Sequence, residues 1–255
     1  MKLFDLQPHS IQRPEKISWF FPYQTADLLS EIKSKSLRSF LRRNFELKTE
    51  HGLEQRISQM SKKDFAAWLP YYADKMAEHS YEILATLEWF NLKMDQRKEV
   101  YSIFIHQAEK LVASLIFTHN PENNHSSIAF RANDRLDIFP GGRSSIGALL
   151  DYAFLGWSLE KKCSSISAGR TRNEFGVINT FGNLDYKLRF GYVPQPTKDT
   201  ALHTSVILDA DGVVAFFGIQ NNALSLFYVH PAGYQNDLQA ANMLPVSIKF
   251  QEIIY

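Results

Sequence analysis

Between residues 126 and 169 the chain changes period twice. "SSIAFRA" at 126–132 alternates as a half-buried strand does, and "SSISAG" at 164–169 is again strand-like. Between them lies "GGRSSIGALLDYAFLGWSLEKK", where Gly141-Gly142 breaks the chain and residues 148–159 are apolar almost all round. A helix with apolar residues on every face is buried on several sides. Strand, loop, helix, strand is a βαβ unit, which requires parallel pairing and a right-handed crossover.

The regions upstream are of a different kind. Prolines at 8, 14 and 22 predict an irregular lead-in or edge strand over residues 1–33. In "SKSLRSFLRRNFEL", Leu37, Phe40, Leu41 and Phe45 fall at helical spacing, while Lys33, Lys35, Arg38, Arg42 and Arg43 crowd the other faces. This is a basic amphipathic helix, either a solvated face or a surface for phosphates. "SKKD" at 61–64 predicts a capped helix start, with Phe65, Trp68, Leu69, Tyr72 and Met76 along one face and Pro70 as a bend or break. "YEILATLEWFNLKM" at 81–94 predicts a further helix, and "VYSIFIH", "QAEK", "LVASLIFTH" a β-hairpin before the 126–132 strand.

Downstream, Val177, Phe181, Leu184 and Leu188 form one helical stripe, and after Pro194 and Pro196 the pattern returns to strands. "TSVILDADGVVAFFG" places an Asp-Gly turn between two apolar runs, and "ALSLFYV" follows "QNN". The expected class is therefore α/β, with a mixed sheet.

Composition limits function more than fold. With 28 Lys and Arg against 27 Asp and Glu, the net charge of +1 offers no global field for nucleic acid or anionic lipid. Cys163 is the single cysteine, which excludes an internal disulfide and a cysteine-rich zinc site. His119 and His125 flank a polar loop without a third ligand, so no metal site is expected. No Gly-x-Ser-x-Gly elbow occurs. No run of 18 apolar residues and no secretory leader is visible, so the expectation is a cytoplasmic protein without a membrane span.

Three segments together resemble the GNAT acyltransferase superfamily, and within it the Fem-like, peptidoglycan aminoacyltransferase-like branch. "SKSLRSFLRRNFEL" is similar to that branch's entry helix and "ALLDYAFLGWSLEKK" to its central helix. "ISAGRTRNEFGVINTFGNLDYKLRFGYVP" is similar to its strand, Gly-Arg corner and helix ending in Lys-x-x-x-Gly. The resemblance implies a GNAT-like core over 34–195 with a central βαβ donor-binding unit. Residues 196–255 then form a β-rich C-terminal extension packed on the same domain.

It also implies acyl transfer from a thioester donor, acyl-CoA or an acyl carrier protein, to a small-molecule or peptide amine. Aminoacyl-tRNA is the alternative donor, and a non-catalytic assembly protein, dimeric through its C-terminal strands, is the alternative class. No tightly bound cofactor is expected.

GNAT-like sheets splay between two parallel strands where the donor lies, and Gly169 and Arg170 match the end of the second. Gly142, Arg143, Ser144, Ser145 and Gly147 stand where the family's pyrophosphate loop would be, although the motif is degenerate. A helix start favours phosphate there because its first amides are unpaired and its dipole is positive. Lys187 matches the branch's recurrent lysine and is the candidate for substrate anions. For proton transfer the candidates are Glu88, in an apolar run where burial would raise its pKa, Asp137 with neighbouring Asp134, and Tyr186 with Tyr192.

Overall fold

The structure, a computed structural model, describes residues 2–23, 25, 27–45, 50, 52–78, 82–134, 146–234 and 239–255. Along the chain run β1 (Lys2–Asp5), a 3-10 turn (Gln7–His9), β2 (Arg13–Pro14), β3 (Lys16–Phe20), α1 (Leu28–Glu31) and α2 (Lys35–Asn44). Next come β4 (Leu53–Gln59), α3 (Lys62–Glu78), α4 (Leu87–Asp95), β5 (Glu99–Gln107), β6 (Lys110–Asn120), β7 (His125–Asn133), α5 (Ile146–Glu160) and β8 (Ser165–Arg172). They are followed by α6 (Phe181–Phe190), β9 (Val193–Pro196), β10 (Leu202–His203), β11 (Ser205–Leu208), β12 (Val214–Gln220), β13 (Ala223–His230) and β14 (Lys249–Ile254). The mixed α/β class expected from the sequence is the one observed. Contacts divide the chain into two units, one of residues 23–30 and 35–167, the other of residues 1–22, 31–34 and 168–255.

In the first unit β4, β5, β6 and β7 pair antiparallel in chain order, and the start of β8 joins β7 in parallel. The β5–β6 hairpin turns on Ala108 and Glu109, both with positive φ, as a two-residue turn of matching twist requires. Eight consecutive residues of β6, Val112 to His119, are buried because both faces of the strand are covered. Ile116 points into a cluster with Phe65, Trp68 and Tyr72 of α3 and Phe90 of α4. Its neighbour Phe117 packs edge-on against Phe154 and Trp157 of α5, at ring separations of 5.1 and 4.7 Å. Helix α5 is buried over most of its length, as its all-round apolar pattern predicts.

Two helices depart from expectation. Ser61 and Asp64 form the expected cap, each side chain accepting the other's backbone N–H at 3.2 Å. Pro70, however, lies inside an unbroken α3. It sits on the exposed side, so the carbonyl of exposed Ala66 that loses its partner is open to water, while buried Trp68 and Tyr72 anchor the helix on both sides of it. Among the described residues of the 81–94 stretch the helix starts at Leu87 and runs on to Asp95, because Thr86 takes the N-cap and accepts the Trp89 N–H at 3.1 Å.

In the second unit the last five residues of β8 neighbour β3, which pairs antiparallel with β9. Strand β1 pairs with β11 and β2 with β10, while β12, β13 and β14 form a separate three-stranded sheet with β13 and β14 parallel. The Asp211-Gly212 turn forms, held by Asp209 Oδ1 accepting the N–H groups of Asp211 and Val213 at 2.9 and 2.8 Å. It does not close a hairpin: β11 is spent on β1 and β12 on β13. Fully buried Asn173 ties the unit together, donating to the carbonyls of Pro14 and Phe217 and accepting the Phe217 N–H. Helix α6 opens on a Thr180 cap and closes on Gly191 at φ +97°, where a Cβ would lie 3.0 Å from the Glu31 carbonyl oxygen.

Candidate functional site

Strands β7 and β8 share a parallel ladder of three pairs, His125 with Ser165, Ser126 with Ile166 and Ser127 with Ser167. Both strands run on past it, β7 to Asn133 and β8 to Arg172. Two residues beyond the last pair, Gly169 takes φ +79° inside β8. Glycine adopts a positive φ more readily than any residue with a side chain, which suits it to the Gly-Arg corner.

On the first unit, the head of α5 is bound to β7 by Arg131 and Asp151. Arg131 Nε lies 2.7 Å from Asp151 Oδ1 and a terminal guanidinium nitrogen 2.8 Å from Oδ2, and Asp151 has no exposed surface. Gly147 is buried in the first turn of the same helix. The loop ahead of it, with Asp137, Gly142, Arg143, Ser144 and Ser145, lies outside the described residues.

The remaining carboxylate candidates on this unit have structural surroundings. Asp134 is held by two ammonium groups, Lys75 at 2.9 Å and Lys110 at 3.0 Å. Burial pushes its carboxyl up, and the hydrogen bonds and charges of those two lysines outweigh it, leaving the pKa lowered. Glu88 is exposed in the first turn of α4, not buried. Hydrogen bonds from its own backbone N–H and from Thr86 hold its carboxyl below the ordinary range, with Lys62 adding to them. The raised pKa expected of a buried base is therefore absent: Glu88 serves a helix start, where carboxylates are favoured. Cys163 is fully buried with Sγ 3.9 Å from His119 Nδ1, and burial pushes its thiol up, as befits an inert cysteine. Among the described residues no cluster of three or more metal-ligating side chains occurs.

The second unit ties Lys187 to the backbone of β8 next to Gly169. Lys187, on α6, is 3% exposed. Its Nζ donates to the carbonyl of Ala168, the residue before Gly169, at 3.1 Å and lies 5.3 Å from the ring centre of Trp19. Fully buried Trp19 in turn donates its indole N–H to Thr171 Oγ1 at 2.9 Å. The amine is thus fixed by a carbonyl dipole and an aromatic face, the two neutral partners that best suit a cation away from water. Arg170 is exposed and makes no hydrogen bond or ion pair with the described residues. Tyr186 is half-buried with its ring 5.1 Å from Phe190, and Tyr192 is fully buried against Phe21 and Phe190.

Neither Trp19 nor the Arg131–Asp151 pair is singled out by the sequence pattern. One signal existed for the pair: an aspartate inside an otherwise apolar helix must find a cation. For Trp19, in a strand some 170 residues from its lysine, no local signal exists.

No protein-family model matches the sequence, and no curated protein matches it. Solved structures do. FemX superposes with a TM-score of 0.52 at 9% identity, over 76% of this chain and 62% of its own. L-PGS from Bacillus licheniformis gives 0.45 at 14% identity, over 79% and 60%. A tandem GNAT protein from the clavulanic acid biosynthesis pathway gives 0.41 at 12%, over 74% and 53%. The chain thus spans 53 to 62% of the length of these three proteins. Of the three, only FemX exceeds a TM-score of 0.5, and what that likeness establishes is the fold.

Proposed function

We propose that this chain, which has the GNAT/Fem-like acyltransferase fold, moves an acyl group from a thioester donor to an amine. The observation that carries the proposal is the three-pair β7–β8 ladder, joined through buried α5 and followed by the left-handed Gly169. In this reading Gly142, Arg143, Ser144, Ser145 and Gly147 receive the donor's pyrophosphate at the head of α5. The Arg131–Asp151 pair positions that helix, and Arg170 and Lys187 hold substrate anions or developing negative charge. The neutral amine nitrogen attacks the thioester carbonyl, the C–N bond forms, the C–S bond breaks, and the departing thiolate takes up the proton the amine releases. Asp137 and Tyr186 are the candidates for moving that proton.

The test is thermal stability with and without coenzyme A and acetyl-coenzyme A. A ligand at ~100 times its Kd stabilises the folded state by about 2.7 kcal/mol. The expected result is a rise in Tm that is lost in a folded Ser145→Glu variant. No rise at saturating ligand overturns coenzyme A as donor.

A second donor, aminoacyl-tRNA, draws support from α2. Its exposed Lys35, Arg42 and Arg43 enter no ion pair among the described residues. Binding to tRNA would weaken steeply as salt rises, whereas a coenzyme A complex would respond far less.

A further inference from the structure

The second unit carries a depression of about 370 Å³, within the size range of small-ligand sites. Its apolar lining residues are buried Ile11 and half-buried Ile219. Its other lining residues are polar and uncharged: the amide-bearing Gln7, Gln12, Asn221 and Asn222, and the hydroxyl-bearing Ser10 and Thr204. Among the described residues no charged side chain lines it. All six polar residues are exposed, and among the described residues none of their side chains has a hydrogen-bond partner, so their donors and acceptors are open to water or to a ligand that displaces it.

The walls are held in place by backbone. Gln12 and Ile219 exchange both N–H···O bonds, at 3.0 and 2.8 Å, and Gln220 Nε2 donates to the His9 carbonyl at 2.8 Å. Asn221 and Asn222, at φ +50° and +60°, form the two-residue turn between paired Gln220 and Ala223. Ser10, at φ +55°, caps the 3-10 turn by donating its N–H to the Gln7 carbonyl. Gly218 lets Ile11 seat, since a Cβ there would lie 2.6 Å from Ile11 Cγ2.

From this geometry we infer a binding site for a neutral polyhydroxyl ligand, a sugar ring. Anionic ligands find no cation in the lining, and cations no carboxylate. Side-chain amides offer a donor and an acceptor side by side, which matches hydroxyl groups on adjacent carbons, and the apolar surface of Ile219 suits the C–H face of a ring. A peptide strand is a poorer occupant: the main-chain groups of Gln12 and Ile219 that would extend a sheet are spent on each other. The site does not depend on acyl transfer and lies on residues with no part in it.

Saturation-transfer NMR on the full chain, with D-glucose, D-galactose and maltose as probes and triglycine and inorganic phosphate as comparisons, tests it. At about 10 mM ligand, ten times a Kd of ~1 mM, transfer to ring C–H protons is expected for at least one sugar. Gln12→Ala and Asn222→Gly are each expected to raise the sugar's Kd at least about tenfold in a concentration series; the glycine keeps the positive φ while removing the amide. The inference is overturned by absence of transfer to all three sugars, by a Kd that neither substitution raises, or by triglycine or phosphate binding where no sugar binds.

Discussion

Arg131 grips both carboxylate oxygens of Asp151 between β7 and α5, at 2.7 and 2.8 Å, with the aspartate fully buried and the arginine side chain 26% exposed. Removing one partner of such a pair leaves a charge in a low-dielectric site. Asp151→Ala is expected to destabilise the fold by about 3–5 kcal/mol, read as a lower urea midpoint with unchanged m-value. Adding Arg131→Met to Asp151→Ala should recover part of that loss, because the guanidinium that has lost its buried carboxylate is then gone as well. Additive losses in the double variant would refute this account.

Arg170 is exposed and without a partner among the described residues, so its side chain contributes little to folding. Arg170→Ala should change stability by no more than about 0.5 kcal/mol. Acyl transfer, or donor binding in the thermal assay, should nevertheless fall at least about tenfold if the guanidinium holds a substrate anion. Unchanged binding and turnover would remove Arg170 from the site.

Lys187 presents the opposite case, a buried amine on the Ala168 carbonyl and the Trp19 face. Lys187→Met keeps most of the apolar stem and removes the cation. The expected cost in stability is about 1–3 kcal/mol, for the carbonyl left without its donor. The expected cost in turnover is about 10²–10³-fold in kcat with KM less affected, the signature of a group acting on charge in the transition state. A loss confined to stability would make Lys187 a structural residue.

Asp134, between Lys75 and Lys110, has its folded pKa lowered. A carboxyl lowered on folding stabilises the native state above its unfolded value, here the ordinary 3.8, and loses that contribution as pH falls through the folded value. The stability gap between wild type and Asp134→Asn should therefore be constant from neutral pH down to the carboxylate range and close below it. Urea titrations at a series of pH values measure this; a gap that widens in acid would reverse the sign.

Gly191 closes α6 at φ +97° with the Glu31 carbonyl 3.0 Å from where a Cβ would stand. Gly191→Ala should cost about 1–2 kcal/mol in backbone strain, before any cost of moving the carbonyl, again read by urea denaturation.

Local chemistry was enough to foretell much of the fold. The Ser61–Asp64 cap, the turn at Ala108 and Glu109, the all-round burial of α5 and the parallel strand after it each follow from residues within a few positions of one another. The Gly-Arg corner was legible for the same reason, since φ +79° at residue 169 is a conformation that glycine favours above other residues. The break allowed at Pro70 does not occur and Glu88 is not buried, because both outcomes depend on which side of a helix meets water, and a single residue does not state that.

The sequence by itself determined the α/β class, the βαβ unit and the residue types at the corner, because periodicity, capping and turn preference act over a few residues. Only the tertiary structure decided that β11 pairs with β1 instead of its neighbour β12, that Asp151 meets Arg131, and that Lys187 rests on Trp19. Those pairings join positions from 20 to about 200 residues apart, and which partner a buried strand edge or charge finds is settled by the packing of the whole unit, not by the residues on either side of it.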